Sequence, residues 1–214
     1  MSGRNYQKII NHYEDCLRKF GDNHKGVDWP NQEDALLRYK VMLDIVMPGI
    51  RCSLLDFGCG TAHLYDYIVK CGFKDIEYTG LDISNNFIQV CMSKHKQINF
   101  INCDILKSPE KIGKFDYIIM NGIFTVKREL LFNEMVEYFE DLVKVVFTKA
   151  NIGIAFNVMT KHVDWEREDL FHLPFDLLAA FLKQEVSRNF VIRNDYGLFE
   201  YTVYVFKEPN IWHR

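Results

Sequence analysis

The sequence predicts an α/β protein built on an open, mostly parallel sheet, and three observations carry that expectation. Apolar residues run through Leu54–Phe57 into the turn Gly58-Cys59-Gly60, and a helical pattern opens at Thr61. Short apolar strands then alternate with helical segments to the end of the chain, the pattern of a sheet with helices on both faces. The last two strands are joined only by DYGLFE, residues 195–200, too short for a parallel crossover, so the final strand runs antiparallel.

Two helical segments come first. Tyr6, Ile9, Ile10, Tyr13, Leu17 and Phe20 share one face of a helix over 4–20, which Gly21 stops. A loop, DNHKGVDWP, covers 22–30. Asn31 caps a second helix bearing Ala35, Leu36, Leu37, Tyr39, Met42, Leu43 and Val46, ended by Pro48-Gly49. Residues 1–49 thus form an N-terminal helical segment or cap, and 50–214 form one globular unit. In that unit strands are expected at about 52–57, 76–83, 98–105, 115–123, 152–158, 190–194 and 201–207. Helices are expected at about 61–71, after a cap at Ser84, from Leu130 to Val146, and at about 174–186 after Pro174. A polar and aromatic insertion, MTKHVDWEREDLFHL, occupies 159–173.

Composition bounds the function. A chain of 214 residues that is 48% hydrophobic is long enough for one well-filled core. The net charge of −3 offers no general attraction for nucleic acid or an anionic membrane. The N-terminal stretch has no apolar core of the signal-peptide kind, and no long uncharged apolar run follows, so a cytoplasmic location and a monomer or homodimer are expected. The six cysteines form no C-x-x-C and no histidine pairing at zinc spacing, so no metal is expected. Cys59 reads as a small side chain tolerated in a tight turn, since no histidine stands nearby in sequence to activate it.

The glycine turn is the chemical centre. Two glycines let the backbone turn sharply and bring a ligand close to bare peptide N–H groups. A nicotinamide fingerprint would place a third small residue where His63 stands. In open parallel sheets ligands bind beyond the carboxyl ends of the strands. There the chain offers Asp56, then Asp82 twenty-two residues after Gly60, then Asp104-Ile105 and Asn121-Gly122. A carboxylate at the end of the second strand can accept from two neighbouring ribose hydroxyls.

With apolar residues leading into D-F-G-C-G, residues 56–60 resemble motif I of the class I S-adenosylmethionine (SAM) methyltransferases. The resemblance covers about residues 50–207 and implies a Rossmann-like seven-stranded sheet in the order 3-2-1-4-5-7-6. It implies that Asp56, Gly58, Cys59 and Gly60 hold the methionyl part and that Asp82 takes the ribose. Ile83 would lie against the adenine, with Asp104 and Ile105 at its amino group, and Asn121 and Gly122 under the sulfonium. Trp29 and Arg38 join the cofactor candidates, Arg38 as a partner for a carboxylate. The C-terminal half is similar to stand-alone bacterial methyltransferases of small-molecule or surface-sugar biosynthesis.

For the acceptor, the strand-end rule selects Phe124, Lys127, Asn157, His162, Trp165, Tyr196 and Glu200. His172 is the first candidate base and His24 the second, although a histidine among apolar residues also serves as a buried structural group. NGIF at 121–124 departs from the N/D-P-P-Y/F of methyltransferases acting on exocyclic amines. The expected acceptor is a small molecule methylated on oxygen or nitrogen. Two other readings stand beside this one: a non-catalytic methyltransferase-like subunit, and a nicotinamide-dependent oxidoreductase.

Overall fold

The computed structural model describes residues 6–210. Its seven strands are β1 (Cys52–Phe57), β2 (Ile76–Asp82), β3 (Asn99–Asn102), β4 (Phe115–Phe124), β5 (Ala150–Met159), β6 (Asn189–Arg193) and β7 (Glu200–Phe206). They form one sheet in the order β3-β2-β1-β4-β5-β7-β6. The pairs among β1 to β5 are parallel, while β7 is antiparallel to both β5 and β6. The hairpin deduced from the short link and the strand order implied by the resemblance are both present.

The helices are α1 (Gln7–Phe20), α2 (Gln32–Leu43), α3 (His63–Cys71), α4 (Asn85–Lys94), α5 (Phe132–Lys149) and α6 (Phe175–Phe181). They divide between the two faces because adjacent strand residues point to opposite sides. Leu55, Ile118, Ile154 and Val203 face a layer holding Met135, Phe139 and Leu142 of α5 and Leu178 of α6. Leu54, Ile119, Ala155 and Tyr204 face the other layer, with Tyr39 and Met42 of α2, Leu64 and Ile68 of α3 and Ile88 of α4. Burial on both faces explains why these strands read as apolar runs rather than as alternating patterns.

Element ends differ from expectation where local bonding intervenes. The helix after β1 starts at His63 because the left-handed residues Gly60 (φ 53°) and Ala62 (φ 63°) extend the turn. β3 stops at Asn102, and Cys103 N–H turns to the Asp82 carbonyl. The segment at 174–186 divides into α6 and a π-helical turn, Leu182–Val186. The loop at 22–30 contains a 3-10 turn, His24–Val27, folded back onto α1. Asn31 caps α2 as expected, its side chain accepting from Asp34 N–H. Ser84 stands at the cap position of α4, but its hydroxyl donates to Glu14 instead.

One buried ion pair ties α2 to the sheet. Arg38 Nε donates to Glu200 Oε2 at 2.8 Å, with side chains only 9% and 1% exposed. Asn157 Nδ2 donates to the other Glu200 oxygen at 2.9 Å, and Arg38 stacks its guanidinium on Trp29. Removing one member of such a pair strands a buried charge, a loss of about 3–5 kcal/mol. Arg38→Met is therefore expected to lower stability by roughly 3 kcal/mol in urea unfolding. Adding Glu200→Gln should restore much of the loss; an equally unstable double variant would refute a stranded charge as the cause.

Candidate functional site

A cavity lies beyond the carboxyl ends of β1, β2 and β4. Phe57, Gly58, Cys59 and Gly60 line it from the turn after β1. Asp82, Ile83 and Ser84 follow from β2, Asp104 and Ile105 from the segment after β3, and Asn121, Gly122 and Ile123 from β4. Asp56 borders it within β1, and Tyr138 and Leu142 of α5 close one side.

Glycines make the space. A Cβ on Gly58 would fall 2.1 Å from Ile123 Cδ1, and one on Gly122 would fall 2.9 Å from the Trp29 ring. Both glycines also have positive φ, 75° and 83°, where other residues are strained. Gly122 sits in an irregularity of β4, whose pairing with β5 shifts between Met120 and Phe124. Such a bulge re-aims a strand's end. Here it directs Asn121 toward the cavity, where its Oδ1 is buried with no partner among the described residues.

The peptide N–H groups of the glycine turn are not bare. Gly58 and Cys59 N–H both donate to the Leu81 carbonyl, at 2.7 and 2.9 Å. Gly60 N–H donates to Asp82 Oδ2 at 3.0 Å, and Ser84 N–H donates to Asp82 Oδ1 at 2.8 Å. The turn is rigidified by β2 rather than held open, so its contribution is shape and a fixed carboxylate. Burial pushes Asp82 up to about 6 against these stabilising donors. Burial pushes Asp56 up to about 7, although the Tyr78 hydroxyl donates to it at 2.7 Å. The neighbouring Cys91 thiol and then burial hold Cys59 well above the usual thiol range, which agrees with its reading as a packing residue.

The roof was only half legible. Tyr6, Ile9, Ile10 and Tyr13, on one face of the first helical segment, line the cavity together with Val27 and Trp29. Tyr6 donates to Asp104 Oδ2 at 2.6 Å, and Tyr13 donates to the Gly122 carbonyl at 3.3 Å. His63 meets Asp22 at 2.8 Å, and Lys94 meets the same carboxylate at 2.9 Å, pinning the far end of α1 to α3 and α4. Sequence periodicity gave the apolar face of α1, but nothing local said that it faces the strand ends. Phe20, placed on that face, is 40% exposed.

The acceptor-side candidates do not meet there. His172 does not line the cavity: it is buried, and its Nδ1–H donates to the Thr160 carbonyl at 2.6 Å. His24 opens the 3-10 turn and also lies outside the lining. Arg38 is outside it as well, held by Glu200 and Trp29. Phe124 is a core side chain packed edge-on against Phe139 and Phe156. Lys127 donates to the Leu130 carbonyl, and His162 packs on Phe175. Trp165 is 75% exposed. Asn157, Tyr196 and Glu200 form a polar cluster behind Gly122, where Asn157 Oδ1 accepts from Gly122 N–H at 2.7 Å and Tyr196 bonds Thr202 and Glu200. Buried polar groups need partners, and these residues satisfy one another instead of facing a ligand.

Comparison with known proteins agrees with this architecture. Residues 54–146 match the family described as "Methyltransferase domain". The Mycobacterium tuberculosis protein named "Putative methyltransferase Rv1506c" is 29% identical over 157 residues, covering 72% of this chain and 93% of that one. In fold the chain is similar to magnesium protoporphyrin IX methyltransferase from Synechocystis PCC 6803 with bound SAM, at TM-score 0.64 and 14% identity, covering 97% of this chain and all of that one. It is also similar to Burkholderia thailandensis 1,6-didemethyltoxoflavin-N1-methyltransferase, at TM-score 0.62 and 13% identity, covering 98% and 92%. Residues 54–146 thus resemble a methyltransferase domain, and the chain shares its fold with a SAM-bound methyltransferase. The cavity fits a cofactor of that kind: glycines keep it open, two buried acids border it, and one buried amide oxygen awaits a partner.

The two acids set a pH dependence. Their folded-state values, about 7 and 6, lie above the ordinary carboxylate value of 3.8. Between these limits the folded chain holds protons that the unfolded chain has released, so their contribution to stability falls as pH rises from about 4 to 7. His63 works the other way, because burial lowers its value below 6.5. A comparison of variant and parent isolates Asp56. Asp56→Asn, without cofactor, is expected to raise the melting midpoint at pH 8 by roughly 2–4 °C, with a smaller gain at pH 5. Equal effects at both pH values would show that Asp56 is already ionised in the fold.

Proposed function

We propose that this chain transfers the SAM methyl group to an oxygen or nitrogen of a small molecule bound under the α1 roof. The observation that carries this reading is the roofed cavity itself. Its polar groups come from strand ends, and its cover of Tyr6, Ile9, Ile10, Tyr13 and Trp29 excludes water. The two methyltransferases similar in fold are titled for magnesium protoporphyrin IX and 1,6-didemethyltoxoflavin, which supports a small-molecule acceptor. Precursors of sugars and surface polysaccharides are the first class to assay, with other small metabolites next. In this reading the chain works in the cytoplasm, and residues 1–49 serve as a cap on the domain formed by 50–214. No helix among the described residues is long and apolar enough to cross a membrane.

The residue roles follow from the cavity. Asp82, already fixed by two backbone donors, presents its carboxylate to the ribose hydroxyls. Asp56 and the Gly58–Gly60 turn border the methionyl part, Ile83 and Ile105 the adenine, and Asn121 and Gly122 the sulfonium side. Asp104, bonded to Tyr6 and Lys107, reaches the adenine amino group once Tyr6 yields. SAM, when bound, supplies a methyl group on a cationic sulfur. The chain's part is to orient that methyl toward the acceptor and keep water out, since in-line displacement depends mostly on positioning.

Calorimetric titration with SAM and S-adenosylhomocysteine tests the assignment. Asp82→Ala is expected to weaken both by more than tenfold, roughly 1.4 kcal/mol or more. Unchanged affinity would remove Asp82 from the ribose. The parent should show weaker binding below pH 6, because protonation takes away the acceptor that the hydroxyls need. Binding without turnover until a second protein is added would favour the scaffold reading. Binding of NADH alone would favour the oxidoreductase.

A further inference from the structure

Beside the cavity roof, three side chains converge that the cofactor reading leaves unused. His12 and Cys16 stand one turn apart on α1, so both project toward the 3-10 turn. Asp28 meets them from the end of that turn, where its backbone is left-handed with φ 60°. His12 Nε2 lies 2.7 Å from Asp28 Oδ2 and 3.8 Å from Cys16 Sγ. All three ligand-type atoms lie within 4.8 Å of one another.

We propose that His12, Cys16 and Asp28 form a binding site for one zinc-type divalent cation, which clamps α1 to the turn over the cavity. The donor set decides the class of ion. One nitrogen, one sulfur and one carboxylate oxygen suit zinc or cobalt, whereas magnesium and calcium take oxygen shells. Zinc bonds of about 2.0–2.3 Å in a tetrahedron put ligand atoms about 3.3–3.8 Å apart. The His12–Cys16 separation already falls there, and the His12–Asp28 pair has to open by about half an ångström to admit the ion. Binding costs the Cys16 proton, which leaves to solvent as the sulfur–metal bond forms. Thiolate and carboxylate together balance the charge of the ion.

Burial gives the site an inside and an outside. Cys16 is buried, the His12 side chain is 18% exposed and the Asp28 side chain is 38% exposed. A fourth coordination position is therefore open on the Asp28 side. Arg128, itself left-handed at φ 53°, acts on the Cys16 thiol alongside Asp15 and Lys19, and Arg167 acts on Asp28. The cations Arg128, Lys19 and Arg167 oppose a bound ion without filling the site, while Asp15 favours it. Two ligands adjoin the cavity in sequence: Tyr13 follows His12, Trp29 follows Asp28, and both line the roof. Water fills the open position on the exposed side. The metal site stands independently of the methyltransferase reading.

The test uses the full chain without a polyhistidine tag. Cobalt(II) alone is titrated and followed by the thiolate-to-cobalt charge-transfer absorption, then displaced by zinc(II). One equivalent should bind, the absorption should vanish in Cys16→Ser, and the affinity should fall at least tenfold in His12→Gln. Cys71→Ser, at an exposed cysteine outside the cavity, should change nothing. Asp28→Asn keeps a residue that tolerates the left-handed backbone, so it tests the site even if Cys16→Ser fails to fold. It should weaken cobalt binding and abolish the rise in melting temperature that zinc gives the parent. Absence of stoichiometric binding to the parent overturns the proposal, as does an absorption that survives Cys16→Ser. The same samples are titrated with SAM. In the parent, SAM binding without cobalt binding rejects the metal site alone, and cobalt binding without SAM binding rejects the cofactor pocket alone.

Discussion

The Asp82 carboxylate is the constraint on which the site depends. One oxygen takes the amide of Gly60 and the other the amide of Ser84, so a single buried acid fixes the turns after two adjacent strands. Its charge is expensive in that position, and the fold compensates only in part with backbone donors. A ligand that brings further donors completes what the backbone begins. Stability and binding are thus opposed at one residue, as expected where a site is pre-organised at some cost to the resting protein.

A second constraint works from behind. Gly122, Asn157, Glu200, Arg38 and Trp29 form one chain of contacts from the end of β4 through β5 and β7 to α2 and back to the cavity roof. All five stood among the sequence's cofactor and acceptor candidates, and three of them, Asn157, Glu200 and Arg38, are polar side chains. Each is polar because its neighbour is polar, and the network gives a tight backbone bulge a single geometry.

Much of the fold was legible because its signals are local. Apolar runs, glycine turns and the short 195–200 link are enough to define alternating strands, an antiparallel end and a cavity at the strand tips. The placement of Asp56, Gly58, Asp82 and Asn121 around one cavity was legible for the same reason, since topology alone places strand ends together. His172, Trp165 and Glu200 lie outside the cavity lining, because proximity to a strand end says nothing about side-chain direction. The Arg38–Glu200 pair spans 162 residues, and no local pattern announces it. His12 and Cys16 did carry a signal, an i, i+4 spacing on a helix, but it only acquires meaning when Asp28 arrives from another element.

His63 stands where a dinucleotide fold would keep a small residue, and it bonds Asp22 at the far end of the roof. The same short helix therefore touches both the glycine turn and the cover above it. Ligand occupancy and roof closure then share one free energy: whatever fills the cavity slows hydrogen exchange along α1, and whatever loosens α1 weakens the ligand's affinity by the same coupling.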